Sequence, residues 1–260
     1  MRRQLPAPIA VLAAAGAVFV LLPVLALVIR APWGSVGTAF TGVGASTALR
    51  VSLEVSVVAT VISVAVGVPL AWVLARVEFP GRSLLRAIVV LPVVLPPVVG
   101  GIGLLAALGR GGVVGRWLYD VFGVQLTFTT AGAVLATTFV SMPLVILATE
   151  AGLRGLDVRY ERAAAAFGGS PGYVMRRVTF PMIAPQLAAG VVLTWARALG
   201  EFGATITFAG NLAGKTQTLP LAVYQAREID PGGAILLSLF LVGISLIVLV
   251  ALRGRLAGTR

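Results

Sequence analysis

The sequence predicts an all-α integral membrane protein with about six transmembrane helices. Hydrophobic residues make up 58% of the chain and charged residues only 11%, whereas soluble domains contain roughly 45–50% and about 25%. Six apolar stretches of 19 residues or more carry no charged side chain, and about 20 apolar residues are enough to cross a bilayer core as a helix. These stretches are residues 4–29, 55–75, 87–109, 121–149, 178–196 and 231–252.

The residue types that are missing exclude several kinds of chemistry. The chain has no cysteine and no histidine, so disulfides, the usual zinc sites and imidazole acid–base catalysis are excluded. It also lacks the glycine-rich loop ending in Gly-Lys-Ser/Thr that cradles nucleotide phosphates. We therefore expect no catalytic residue, no bound metal or cofactor, and no ATP hydrolysis by this chain.

The positive charge of the chain predicts its orientation in the membrane. If the N-terminus is cytoplasmic and all six stretches cross, thirteen arginines lie on the cytoplasmic side and six basic residues on the other, with Arg197 inside a span. This excess follows the positive-inside rule and predicts that both termini are cytoplasmic. Because the net charge of +11 lies in loops between spans, we expect contact with membrane lipid and no nucleic-acid partner.

The first apolar stretch is predicted to remain in the protein. It follows Arg2 and Arg3 as a signal peptide would, but it is much longer than the 7–15 apolar residues of a signal sequence. No soluble domain, low-complexity tract or internal repeat is evident. Residues 1–260 are therefore predicted to form one membrane domain.

The longest predicted cytoplasmic connection, residues 154–177, contains a short helix of a soluble kind. Residues 158–167 are mostly good helix formers, Asp157 is a capping residue, and Gly168-Gly169 is a typical helix stop. Ser170-Pro171 is a typical start for a second helix. On the residues alone, this segment either receives a protein outside the membrane or lies on anionic lipid head groups.

The same segment resembles the "EAA" loop of ABC-transporter permeases, whose pattern is Glu-Ala-Ala, three residues, Gly, nine residues and Ile-x-Leu-Pro. The two alanines correspond to Ala163 and Ala164, the glycine to Gly168, and the closing proline to Pro181. Arg162 stands where the pattern has glutamate, and Glu161 lies one residue earlier. The resemblance implies that residues 158–175 form a coupling helix that docks on a cytoplasmic ATPase subunit, with Glu161, Arg162, Ala163, Ala164, Gly168 and Pro181 as the coupling residues.

Further blocks are similar to the molybdate/sulfate importer permeases. Residues 197–205 with 208–211 resemble the fifth-span signature of that group, and residues 215–224, 91–100 and 109–112 with 117–119 look more like its molybdate branch. The likeness covers residues 46–252. It implies a type I ABC importer permease fold, a homodimer, a cytoplasmic ATPase dimer and an extracytoplasmic molybdate-binding protein in a bacterial or archaeal plasma membrane.

Helix breaks and intramembrane charges are the candidates for a translocation path. Pro92, Pro96 and Pro97 interrupt the third stretch, and carbonyls freed by a proline must face protein or a water-lined cavity; a static kink that serves packing is the alternative. Arg197 and Glu201 lie four residues apart on one helix face, either to ease the passage of an oxyanion or to lock helices together. The second interpretation is favoured because a tight anion site halfway across would slow release.

Other residues complete the predicted path. Thr205 and Asn211 can offer hydrogen bonds to passing oxygens, or bond their own backbone instead. Small residues along the fifth stretch, among them Gly190, Gly203 and Ala204, suit a close crossing with a second copy.

The residues and the resemblance together predict a permease subunit of an ATP-driven importer for molybdate, with tungstate alongside. A sulfate or thiosulfate permease is the nearest alternative. A stand-alone secondary transporter would need an intramembrane relay, for which Arg197 and Glu201 are the only candidates.

Overall fold

A computed structural model describes residues 6–37 and 44–257, and every regular element in these ranges is helical. A single 3₁₀ turn, Trp33–Ser35, follows the first helix. A π-helical turn, Met175–Thr179, joins the eighth helix to the ninth. In chain order the α-helices are α1 (Ala7–Arg30), α2 (Ala45–Arg76), α3 (Arg82–Val94), α4 (Pro97–Leu108), α5 (Gly115–Phe122), α6 (Thr130–Gly155), α7 (Val158–Ala166), α8 (Pro171–Val174), α9 (Phe180–Leu199), α10 (Gly203–Ala209), α11 (Leu219–Ile229) and α12 (Pro231–Ala257).

Within these ranges, five helical segments are long and apolar enough to cross a membrane: α1, α2, α6, α8 with α9, and α12. The remaining predicted stretch is divided between α3 and α4, whose axes are bent by 119°. With 13 and 12 residues, each half is only about 20 Å long, against a core of about 30 Å. The expectation of about six spans is confirmed, with the third one broken.

The direction of the helices explains why the broken pair has to bridge the bundle. The early residues Val51 and Val55 of α2 pack with Ala133 and Val134 early in α6, while a late residue, Leu74, accepts a hydrogen bond from Arg154 at 3.4 Å. Helices α2 and α6 are therefore parallel. The chain between them returns from one end of the bundle to the other, and α3 and α4 carry it.

The bundle has two distinct ends. The end that holds Leu74, Arg154 and the short helices α7 and α8 is called the arginine end here. At the opposite end, Thr130 donates to the carbonyl of Lys215 at 3.0 Å, and α11 packs on the start of α2. Each end therefore carries its own polar layer above the apolar spans.

The break between α3 and α4 follows from two adjacent prolines. Leu95 is extended, as expected for a residue before proline, and Pro97 begins α4, where its missing N–H costs nothing. Pro92 differs from the expectation, because it lies buried inside α3 without interrupting it. The interruption is made by Pro96 and Pro97 alone.

Small residues bring the central helices close together. A Cβ added to Gly67 of α2 would lie 3.0 Å from Ile146, and one added to Gly190 of α9 would lie 2.6 Å from the Ala148 side chain. Glycine is required at Gly190 because a methyl group cannot approach another carbon so closely. Gly190 therefore serves packing inside this chain, which corrects its expected use against a second copy.

Candidate functional site: the coupling segment and the helix breaks

The coupling segment has the local structure that its residues predict. Asp157 accepts a hydrogen bond from the Arg159 N–H at 2.9 Å and caps α7. Gly168 ends the helix with a φ of +85°, a conformation that favours glycine. Ser170 then caps α8 by accepting from the Tyr173 N–H at 3.3 Å. The helix, its stop and the second helix are confirmed.

Glu161 points into the protein and joins three elements. Its Oε2 lies 3.2 Å from Nη2 of Arg76 at the end of α2, and its Oε1 accepts from the Thr179 hydroxyl at 2.7 Å. The Glu161 and Arg76 side chains are only 17% and 20% exposed. We call Glu161, Arg76 and Thr179 the coupling brace. It fastens α7 to α2 and to the turn that leads into α9.

The outer face of the segment is basic and aromatic. Arg162 and Ala163 are exposed, and Phe167 is 94% exposed. Phe167 lines a shallow cavity of about 560 Å³ together with Ala164, Gly168 and Tyr173. Because an exposed large aromatic is typical of a protein contact, this face has the composition of a docking surface.

Pro181 lies at the start of α9, where the absence of an N–H is harmless. It is exposed, and the preceding Phe180 packs edge-on against Trp72 of α2 with ring centroids 6.4 Å apart. The end of the motif therefore anchors α9 to α2 instead of extending the docking face.

The two interrupted helices meet at their breaks. A Cβ on Gly203, at the start of α10, would lie 2.9 Å from the Pro97 Cβ at the start of α4. A Cβ on Gly101 would lie 2.6 Å from the Thr207 Cβ. We call this contact between Pro96–Gly101 and Gly203–Thr207 the break junction. Two discontinuous helices in contact form a place where a membrane bundle can change shape.

The break between α9 and α10 is held by the pair that the sequence singled out. The Arg197 guanidinium contacts the Glu201 carboxylate, and Glu201 also accepts from the Ala204 N–H at 2.8 Å, which caps α10. The Glu201 side chain is 2% exposed and that of Arg197 is 34% exposed. Within this chain the pair joins α9 to α10.

The other two predicted path residues make their contacts away from the Pro97–Gly203 contact. Thr205 is fully buried, with its hydroxyl oxygen 3.4 Å from that of Thr137 in α6. Asn211 is at the opposite end, where its amide donates to Gln225 at 3.4 Å beside a cavity of about 460 Å³. Pro96, Pro97, Arg197 and Glu201 thus belong to the two breaks, while Thr205 contacts α6 and Asn211 is half-buried at the opposite end.

Sequence reasoning missed the partners of Glu161 and a second charged cluster. Arg76 is 85 residues from Glu161, so no local spacing points to that pair. Glu150, which is 2% exposed, lies 2.8 Å from Arg154 and 3.2 Å from Arg86. The four-residue spacing of Glu150 and Arg154 on α6 is a signal that could have revealed half of this cluster.

Comparison with known proteins identifies the family. Residues 67–256 match the family of binding-protein-dependent transport system inner membrane components. The molybdenum transport system permease protein ModB of Mycobacterium bovis is 45% identical over 94% of this chain and 92% of its own length. ModB of Escherichia coli is 44% identical over 72% of this chain and 81% of its own. The sulfate permease CysT of Escherichia coli is 34% identical over 89% and 85%.

Solved structures agree on the fold. A chain of a bacterial ABC transporter that imports the polysaccharide alginate superimposes with a TM-score of 0.78, at 16% identity, over 97% of this chain and 96% of that one. A chain of the MetNI methionine ABC transporter gives a TM-score of 0.60, at 20% identity, over 84% and 95%. The expected importer-permease fold is confirmed. The chain is therefore a multi-pass bacterial inner-membrane protein and belongs to the family of binding-protein-dependent transport system inner membrane components.

Proposed function

We propose that this chain is the permease subunit of an ATP-driven importer of molybdate, with tungstate as a second substrate. The observation that carries the proposal is the 45% identity to a molybdenum permease over 94% of the chain, against 34% over 89% and 39% over 78% of the chain for two sulfate permeases. The sulfate or thiosulfate importer remains the rival, because both groups share this fold and the fifth-span residues.

The proposed assembly follows from the positions of the exposed surfaces. A cytoplasmic ATPase dimer docks on the face that carries Arg162, Ala163 and Phe167, and hydrolyses the ATP that drives transport. Two copies of this chain, each acting as one membrane domain, enclose the path, and an extracytoplasmic binding protein delivers the oxyanion to the opposite end. The arginine end is then cytoplasmic, in keeping with the positive-inside rule.

In this proposal the ATPase moves the segment as a rigid body. The coupling brace transfers that movement to α2 through Arg76 and to α9 through Thr179. Helix α9 leads to the break junction, where Gly203 contacts Pro97. The path therefore opens and closes beside Pro96, Pro97, Arg197 and Glu201, while Thr205 and Asn211 lie further along it.

The test is uptake into vesicles that contain the permease with its ATPase. The proposal expects molybdate uptake that requires ATP, the ATPase subunit and loaded binding protein, and that tungstate inhibits competitively. Binding protein loaded with sulfate should stimulate hydrolysis far less. Uptake without the ATPase subunit would indicate a secondary transporter, and equal stimulation by sulfate would favour the rival importer.

A further inference from the structure

A groove between α3 and α6 at the arginine end combines a basic mouth with an apolar wall. Its volume is about 650 Å³. Arg82, Arg86 and Arg154 line the mouth, and Ala87, Val90 and Leu147 line the wall. None of these side chains belongs to the coupling brace or to the break junction. The groove is therefore separate from the coupling brace and from the break junction.

The charges in the mouth do not cancel. Glu150 is the one carboxylate in contact with these arginines among the described residues, and it is shared between Arg154 at 2.8 Å and Arg86 at 3.2 Å. Arg82 instead donates to the Leu74 carbonyl at 2.9 and 2.6 Å. Three guanidinium groups against one carboxylate leave an excess of two positive charges.

The arginines are oriented but not covered. Glu150 is 2% exposed and fixes one side of each partner, while the Arg86 and Arg154 side chains remain 47% and 44% exposed. A guanidinium carries five N–H donors in a fixed plane, so contact with one carboxylate leaves donors free for a second oxyanion. The free N–H donors of Arg86 and Arg154 can therefore bind a phosphate-like group at the mouth.

The apolar wall of the groove favours a lipid over a free anion as its occupant. Further along α3, the helix face that carries Ala87 and Val90 continues to Val94, whose side chain is 78% exposed. A free oxyanion would leave this surface unused, whereas a phospholipid has a phosphate and an acyl chain in the matching order. Basic pockets between membrane helices on the cytoplasmic side are known to bind anionic head groups.

We propose that this groove binds an anionic phospholipid, with the phosphate on Arg86 and Arg154 and an acyl chain along Ala87, Val90 and Leu147. The Ser83 hydroxyl, at the rim of the same groove, can donate to a further phosphate oxygen. The lipid phosphate offsets part of the excess positive charge at the end of two spans, and its acyl chain fills the space between α3 and α6. The inference depends on these residues and not on the identity of the transported substrate.

The experiment measures lipid retention by the permease purified with its ATPase. Complexes are equilibrated with mixed micelles of phosphatidylglycerol and phosphatidylcholine, and the lipids bound to the intact assembly are counted by native mass spectrometry. The double variant Arg86→Gln/Arg154→Gln is expected to retain phosphatidylglycerol about 30-fold more weakly, since each arginine near an anionic head group contributes about fivefold. The matched control is Arg116→Gln, which removes an exposed arginine paired to Asp120 outside the groove.

A second variant tests the wall without altering charge or uncovering Glu150. Ala87 is exposed within the groove, so Ala87→Trp fills it while the fold is kept, and it is expected to release phosphatidylglycerol as well. Equal retention by the wild type and both groove variants, or equal retention of phosphatidylcholine, would overturn the proposal. Displacement of the lipid by inorganic phosphate or molybdate would assign the mouth to a free oxyanion, and a cross-link between cysteines at Val90 of two copies would assign the groove to the dimer contact.

Discussion

Replacing Glu161 by glutamine tests whether the coupling brace transmits movement. The side chain keeps its size and can still accept from the Thr179 hydroxyl, now 2.7 Å away, but it loses the ion pair with Arg76 at 3.2 Å. Exposed ion pairs contribute about 0–1 kcal/mol and breaking buried ones costs about 3–5 kcal/mol. At 17–20% exposure, the loss should be about 1–2 kcal/mol.

A loss of that size changes the equilibrium between a fastened and an unfastened α7 by about 5- to 30-fold. We expect the ratio of substrate transported to ATP hydrolysed to fall several-fold. The ATPase still docks, but less of its movement is transmitted to α2 once the ion pair between Glu161 and Arg76 is lost. Membrane insertion and basal hydrolysis should stay normal. The measurement is simultaneous uptake and phosphate release in proteoliposomes that contain the permease, its ATPase and binding protein.

The neighbouring Arg162 supplies the matched control, since it is exposed and has no part in the brace. Arg162→Gln should leave the transport ratio closer to normal and change the affinity for the ATPase instead. A charge exchange, Glu161→Arg with Arg76→Glu, should restore part of the ratio. If Glu161→Gln transports normally while Arg162→Gln uncouples, the brace is not the transmission element and the argument is refuted.

Three further predictions concern the docking face and the break junction. Gly168→Asp should uncouple hydrolysis from transport. Gly168→Asn should uncouple them less, because both residues tolerate the positive φ of +85° but only aspartate adds a charge. Normal uptake by the Gly168→Asp variant would contradict the assignment of this segment to ATPase docking. Phe167→Ala should leave the melting temperature of the permease unchanged, since the side chain is 94% exposed, and should weaken ATPase association by about 2 kcal/mol, as measured by titrating ATPase onto the reconstituted permease. Gly203→Ala should destabilise the break junction by about 1–3 kcal/mol, because its methyl would lie 2.9 Å from the Pro97 Cβ. This loss should appear as reduced uptake together with a lower melting temperature of the permease. An unchanged melting temperature would mean that α4 and α10 move apart to accept the methyl group without loss of stability, which would contradict the predicted destabilisation.

Local features of this chain were predictable from sequence because they depend on neighbouring residues. The cap at Asp157, the stop at Gly168 and the break before Pro97 all arise from backbone preferences within a few positions. Pro92 shows the limit of such preferences. It sits inside α3, where tertiary packing keeps the helix continuous across a residue that lacks a donor.

The role of Glu161 could not be predicted in the same way. The resemblance placed Glu161 among the coupling residues but gave no direction for its side chain, which depends on Arg76 and Thr179, 85 and 18 residues away. The same holds for Gly190 and Gly203. Their small size predicted close contact, but only the arrangement of the helices shows that α6 and α4, within the same chain, are the neighbours.

By itself, the sequence determined that this protein is a helical membrane protein with about six spans and a short capped helix between the fourth and fifth of them. Those properties depend on hydrophobicity summed over about 20 consecutive residues and on local backbone preferences. Both depend only on residues that are close together in the sequence. Only the tertiary structure decided that the third span is bent by 119°, that Glu161 faces inward, and that the two breaks meet. These depend on contacts between residues far apart in sequence, whose energies arise only once the helices have packed.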